Sequence, residues 1–490
     1  MKIDQFLEHH GITLDPFSEE DAQTDAVFKR GCLRTIHHPA WTKFYGSPSD
    51  PSTAIVFGEK GSGKTALRLQ VIAEIERHNQ QHPEARVFVV SYDDFNPPLD
   101  HLKAATGARD AEQALARVRL ADHMDAILSL GVTRLIDLLK VEKPDLRTLA
   151  PETKRDALLL AALYDQSTGE PLDRRWNGLR RHLGFRPAWR RIDWWIAAAG
   201  TITLVALLAI VPAARDGACL PWLLAALAAS FGPMAWRWAR SEWRARSLRR
   251  ALRVLNRDPA ALRRALVWFD PSELAGQPLP DERRGGVEER YELLRKFQAL
   301  LAALGYMGVV VIIDRVDEPQ LIEGDPRRMR ALVWPLLDHK FLRHPGLGVK
   351  LLLPIEMAYY LEKEDKAFYD RARPDKLNMI KPLRWSGASL YDLAGDRLRV
   401  CAGRPADDAN PPRLRQFLDE SISDDAIKDA LNQLRTPRQL FKFLNRLLQE
   451  HCHRHTEDRP RWTIDYDTFR SVFQSHLRDL EAFDRGFGHG

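Results

Sequence analysis

The sequence predicts an α/β fold: a parallel sheet flanked by helices, with an apolar two-helix hairpin inserted in it and a helical lid at its C-terminal end. Three observations carry that prediction. Ala54 to Phe57 is an apolar run that passes through a glycine-rich turn into a helix-forming stretch, the strand–turn–helix step of such sheets. Two further apolar runs, Val87 to Val90 and Val309 to Ile313, are rich in β-branched residues and suit buried strands. Trp194 to Ala214 and Ala218 to Trp236 contain no charge, and each is about long enough to cross roughly 30 Å of hydrocarbon as a helix.

The glycine-rich turn is the most specific signal. Gly58-Glu59-Lys60-Gly61-Ser62-Gly63-Lys64-Thr65 fits GxxxxGK[ST] at every constrained position, with a strand before it and a helix after. The glycines let backbone N–H groups crowd around phosphate oxygens, and the helix N-terminus adds partial positive charge there. Gly58 through Ala66 are therefore the expected nucleotide-binding residues, with Lys64 neutralising the β- and γ-phosphates and the Thr65 hydroxyl on Mg²⁺. This makes the fold a P-loop NTPase, with ATP and Mg²⁺ as expected cofactors.

Such a site needs a carboxylate on the metal side, at the end of a neighbouring buried strand. Val309 to Ile313 ends in Asp314, which we take as the second metal residue beside Thr65. Asp93 and Asp94, after Val87 to Val90, are a lower-ranked alternative because Ser91 and Tyr92 interrupt the run. Many ATPases place a catalytic acid directly after the strand-terminal Asp. That position is Arg315 here, so Glu318 is favoured for polarising water, with Asp317 close behind.

Further strand and lid segments follow. Lys350 to Pro354 reads as a strand with Glu356 as a candidate γ-phosphate sensor, and Arg438, after Thr436-Pro437, opens an amphipathic lid helix from which it can reach back to a phosphate. Arg371 and Arg373 are candidates for arginine fingers acting in trans in a homo-oligomer. Thr153-Lys-Arg-Asp156 matches a guanine-specifying pattern, but no strand precedes it, and Thr153 reads as a helix cap. His451, Cys452, His453 and His455 match no ordinary metal spacing and read as a frayed, solvated helix end.

Charge and cysteines bound the setting. The net charge of +6 suggests nucleic acid, yet arginines cluster on either side of the apolar pair. Arg174, Arg175, Arg180, Arg181, Arg186, Arg190 and Arg191 precede it and Arg237, Arg240, Arg244, Arg246, Arg249, Arg250 and Arg253 follow, against Arg215 alone between the runs. That asymmetry predicts a positive-inside hairpin in a bacterial inner membrane, with anionic lipids against the arginines and both termini and the ATPase domain cytoplasmic. Four scattered cysteines form no CxxC pair, which suits a reducing compartment.

The resulting organisation is an N-terminal arm (1–45), the first part of the P-loop domain (46–170), the hairpin with its basic flanks (171–256), a linker (257–287), the second part of the P-loop domain (288–400) and the lid (401–490), whose end is winged-helix-like. A P-loop domain with membrane helices between its two phosphate-site motifs, followed by a tryptophan-containing helix (Trp385 to Leu398) and a Pro437-Arg438 lid, resembles the KAP family of P-loop NTPases, on the STAND/AAA+ side of the class. The chain departs from the family in its second motif, where the family has two consecutive Asp and then an Asp-Arg pair and this chain has Asp314-Arg315-Val316-Asp317-Glu318. The resemblance implies a bacterial membrane-tethered switch or assembly ATPase, and some relatives act in exclusion of phage. The expectation is therefore a membrane-anchored ATPase driving a conformational switch in anti-phage defence or signalling. A nucleic-acid-stimulated loader or motor is the alternative, and a nucleotide-binding scaffold with little hydrolysis is a third reading.

Overall fold

The computed structural model describes residues 1–167, 169–185, 277–280, 287–402 and 412–484, with scattered helical positions between 195 and 263. It divides into two compact units, one of 1–95 with 306–490 and one of 96–305. The second unit thus takes in 96–170 and 288–305, which the sequence reading assigns to the P-loop domain, because helices from both stretches share one interior.

The first unit is built on five parallel strands: β1 (Ala54–Gly58), β2 (Arg86–Tyr92), β3 (Tyr306–Ile313), β4 (Leu347–Pro354) and β5 (Asn378–Ile380). Their order is β2-β3-β4-β1-β5. The α/β class holds, and β1 to β4 fall on the four runs read from the sequence. β5 has only three residues and no periodic signal; β1 recruits it through the pairing of Ile55 with Met379. All residues of β1 and β4 are buried, as expected of a sheet covered on both faces. One face shows the period of two directly: Ala54, Val56, Val87, Val89, Val310, Ile312 and Leu352 share a core with Leu67, Val71 and Ile75, spaced one helical turn apart on the helix Lys64–Gln81.

Lys350 interrupts β4 and is only 1% exposed. Its ammonium donates to the carbonyls of Phe44 (2.6 Å) and Tyr45 (3.0 Å), the last residues of the helix Trp41–Tyr45, where a cation suits the helix C-terminus. Burial pushes this ammonium down to about 8 from 10.5. The unfolded chain then holds the proton over a pH range in which the folded chain has lost it, so stability rises as pH climbs from about 8 toward 10.5. Between pH 8 and 10, wild type gains about 2 kcal/mol relative to Lys350→Met in urea unfolding. Parallel pH profiles for the two proteins would remove this assignment.

The N-terminal 45 residues do not form a separate arm. Phe6, Leu7, Phe17, Val27, Phe28 and Cys32 are buried in the same core as Leu390, Leu398, Leu440, Phe443, Leu444 and Phe469 of the C-terminal helices. Contacts between chain ends leave no local pattern, so the sequence could not show them. His451 and Cys452 belong to this core as well. The helix Pro437–Arg454 continues through them, with His451 fully buried and its Nε2 2.8 Å from the Arg461 carbonyl, so the helix end is not frayed and solvated. Among the described residues, no group of three or more His, Cys, Asp and Glu side chains is placed to hold a metal ion.

The second unit is helical over its described residues, with Leu120–Glu142, Pro151–Tyr164, Leu172–His182 and Val287–Ala303 as its longer elements. Pro151 occupies the first turn of its helix after Ala150, so Thr153 is not the cap. Buried ion pairs cross the helices. Arg290 grips Asp125 through two bonds of 2.8 and 2.6 Å, and the Tyr164 hydroxyl donates to the same carboxylate at 2.8 Å. Arg175 makes two 2.8 Å bonds to Asp165 and also pairs with Asp137. Arg175 is 3% exposed, so it leaves the set of arginines read as facing lipid: a guanidinium buried among helices and turned to Asp165 and Asp137 is out of reach of headgroups.

The two apolar runs, 194–214 and 218–236, lie outside the described residues except at scattered positions, where Trp195, Ile202, Val205 and Trp236 are exposed. Among the described residues, no helix is long and apolar enough to cross a membrane.

Candidate functional site

Parallel register brings the carboxyl ends of four strands to one edge of the sheet. Gly58 lies beside Pro354, Ile313 beside Leu351 and Tyr92 beside Ile313. The glycine-rich turn, Asp314, Asp93 and Glu356 all follow directly from those ends, although they lie far apart in sequence.

The turn has the backbone the motif needs. Gly61 and Gly63 adopt φ of 84° and 95°, in the left-handed region, and the helix begins at Lys64. Its first N–H groups have no carbonyl one turn earlier and point out of the helix end. The Lys64 ammonium lies along the loop, donating to the carbonyls of Gly58 (2.7 Å) and Glu59 (3.0 Å). Burial pushes it down, while Asp317, Asp314 and Glu356 pull it up, Asp317 most strongly. Ser62 is fully buried with no hydrogen-bond partner for its hydroxyl, Thr65 and Ala66 are half-buried, and Lys60 is exposed.

A cavity of about 200 Å³ opens on this loop, lined by Lys60 to Leu67 and by Asp314, Arg315, Asp317 and Glu318. Three other parts of the first unit complete it. Glu20, Asp21 and Asp25 come from the N-terminal segment, Trp385 from the stretch after β5, and Arg438 and Phe441 from the lid helix. The Trp385 indole donates to the Ser62 carbonyl at 2.9 Å, and the Arg438 backbone N–H lies 3.4 Å from the Gly61 carbonyl. The lid helix is capped by Thr436, whose hydroxyl accepts from the Gln439 N–H at 3.3 Å.

Asp314 is 2% exposed, and one of its oxygens, Oδ2, has no hydrogen-bond partner. Burial pushes its carboxyl up, against the pull of Arg68 and Lys64. Asp317 and Glu318 differ in setting. Glu318 is 60% exposed and lies 3.6 Å from Arg315, whereas Asp317 is half-buried and exerts the largest pull on Lys64. Arg315, with φ of 62°, turns its guanidinium to Gln23 and Glu318. Glu20 sits 3.8 Å from Arg438 and 3.4 Å from Lys442.

The residues read from the sequence from Gly58 through Ala66 and at Asp314, Asp317, Glu318 and Arg438 thus lie in the loop or around its cavity, whereas Asp93, Asp94 and Glu356 do not line it. Arg371 and Arg373 do not: both are exposed in another part of the unit, with Arg371 over the Phe368 ring and Arg373 ending that helix. Sequence reasoning missed Arg68 and the acids of the N-terminal segment. Arg68 was findable, since it lies four residues after Lys64 and so on the same helix face. Compared with models of protein families, with curated proteins and with solved structures, the chain matches none.

The loop's tolerance can be tested at Gly61. A Cβ there would meet the Arg438 Cβ at 2.6 Å, in a backbone conformation unfavourable for L-residues. Gly61→Ala is expected to cost about 1–2 kcal/mol in stability and, if the loop binds a nucleotide as its motif predicts, to weaken that binding at least about tenfold, because either the loop or Arg438 must move. Unchanged affinity in a fluorescent-nucleotide titration would contradict this account of the loop.

Proposed function

We propose that this protein is a membrane-anchored P-loop ATPase that binds ATP with Mg²⁺ and uses the nucleotide state to reposition its helical lid. One observation carries the reading: Lys64, Asp314 and Arg438, from three distant parts of the chain, meet around one glycine-rich loop at a strand-to-helix step. The donor set fits a nucleotide's phosphates and a divalent cation: loop N–H groups and an ammonium for the anion, a hydroxyl and a buried carboxylate with an unpartnered oxygen for the metal.

In this reading Lys64 leaves the loop carbonyls for the β- and γ-phosphates, and Thr65 and Asp314 hold the metal. Mg²⁺ supplies charge neutralisation across the phosphates. Asp317 orients the attacking water, with Glu318 supporting it through Arg315. Arg438 follows the γ-phosphate from the lid, so the nucleotide state is passed to the lid helix. The apolar runs at 194–236 and their arginine flanks supply the anchor, and the KAP resemblance supports a role in bacterial defence or signalling.

The test is ATP hydrolysis by the detergent-solubilised protein beside Lys64→Ala, with and without DNA or RNA at low and moderate salt. Hydrolysis that depends on Lys64 and ignores nucleic acid supports the membrane switch. Salt-sensitive stimulation by nucleic acid would replace it with a loader or motor. Nucleotide binding without turnover would make the protein a scaffold.

A further inference from the structure

Arg68 has no part in the reading above, yet it is the cation nearest the metal-side carboxylate. It lies one helical turn beyond Lys64, its side chain is 5% exposed, and its guanidinium spans two strand ends. Nη1 is hydrogen-bonded to Asp93 Oδ2, after β2, and Nε lies 3.4 Å from Asp314 Oδ2, after β3. That Asp314 oxygen has no hydrogen-bond partner, and neither has Arg68 Nε, so the two face each other as charges without a formed bond. The Asp93 carboxylate is the more exposed member, at 32%.

This arrangement is costly unless the charges are used. Two carboxylates at adjacent strand ends attract a divalent cation, and a buried arginine between them lowers the net charge of the cluster from two negative to one. The bond to Asp93 is formed, while the approach to Asp314 is the looser one and can be surrendered. The asymmetry also has a direction along the chain. Asp93 precedes by three residues the point, Asn96, at which the chain leaves the first unit.

We propose that Arg68 is a positioning residue that competes with free divalent cation for Asp314, so that metal enters this site together with a nucleotide rather than alone. When metal arrives, Asp314 passes from Arg68 to the metal's coordination sphere, and Arg68 keeps its bond to Asp93. The inference rests on the P-loop reading of the site.

The test uses the full-length, detergent-solubilised protein, stripped of nucleotide, with Mn²⁺ as probe and its binding followed by the loss of the free-ion paramagnetic signal. Arg68→Gln is expected to bind Mn²⁺ without nucleotide about tenfold more tightly than wild type, and Arg68→Lys within about twofold of wild type, since it keeps the charge. Asp93→Asn, at the exposed member, leaves Arg68 to Asp314 alone and weakens Mn²⁺ binding in the presence of ATP about threefold. It keeps the inference testable if Arg68→Gln fails to fold. Equal Mn²⁺ affinity in wild type and Arg68→Gln, with ATP binding intact in both, overturns the inference and leaves the P-loop reading standing. A wild type that binds no nucleotide at all overturns that reading, and the inference with it.

Discussion

If the site hydrolyses ATP as proposed, replacing Asp317 with asparagine is expected to lower turnover about 100-fold or more, and Glu318→Gln less than about tenfold. From sequence alone Glu318 is the preferred acid, with Asp317 close behind, because Arg315 occupies the usual position and the next acids are these two. The structure separates the pair physically. A side chain 60% exposed and shared with Arg315 is solvated and free to move, whereas Asp317 is half-buried and acts most strongly on the Lys64 ammonium. A carboxylate that orients water must be held within hydrogen-bond reach of it, which favours the constrained residue. Single-turnover rates at saturating ATP, with nucleotide affinity measured separately, decide the matter. The reverse ranking would return the role to Glu318, and little effect from either would leave the site a binding module.

Arg290→Met destabilises the second unit by about 3–5 kcal/mol, the second large effect expected, because it leaves the Asp125 carboxylate buried without its cation. Asp125 is wholly buried between Arg290 and the Tyr164 hydroxyl, so no water replaces the lost partner. Tyr164→Phe removes one hydrogen bond and costs about 1–2 kcal/mol. The sign of the pH dependence follows from burial, which already pushes the Asp125 carboxyl up. Without Arg290 the folded unit prefers the protonated acid, so it takes up a proton at a pH where the unfolded chain has lost it. Stability of Arg290→Met therefore falls as pH rises from about 4, and the variant is closer to wild type at pH 5 than at pH 8. Hydrogen exchange of the helices Leu120–Glu142 and Val287–Ala303 reads this unit by itself. Equal protection in variant and wild type would show that the pair does not support it.

How much of this was legible beforehand depended on the range of the interaction. The loop at Gly58 to Thr65 is specified within eight residues, because glycine's access to positive φ and the unpaired N–H groups of a helix start are local properties. The strands holding Asp314 and Lys350 are legible for a similar reason, since a sheet covered on both faces demands continuous apolar runs. β5 is not legible, because three residues carry no period and only pairing with β1 makes them a strand. Arg175 reads as one of a row of lipid-facing arginines until its two aspartate partners are seen.

The sequence alone determined the α/β class, the glycine-rich strand-to-helix turn, the candidate acids and the helix that opens at Pro437. Only the tertiary structure decided which of those acids is half-buried and which is solvated, that the N-terminal segment walls the cavity, and that Arg68 lies between Asp93 and Asp314. Backbone conformation and helix or strand period are properties of a few consecutive residues. The field at a buried ammonium or carboxylate is a sum over groups hundreds of residues apart, and no short pattern encodes that sum.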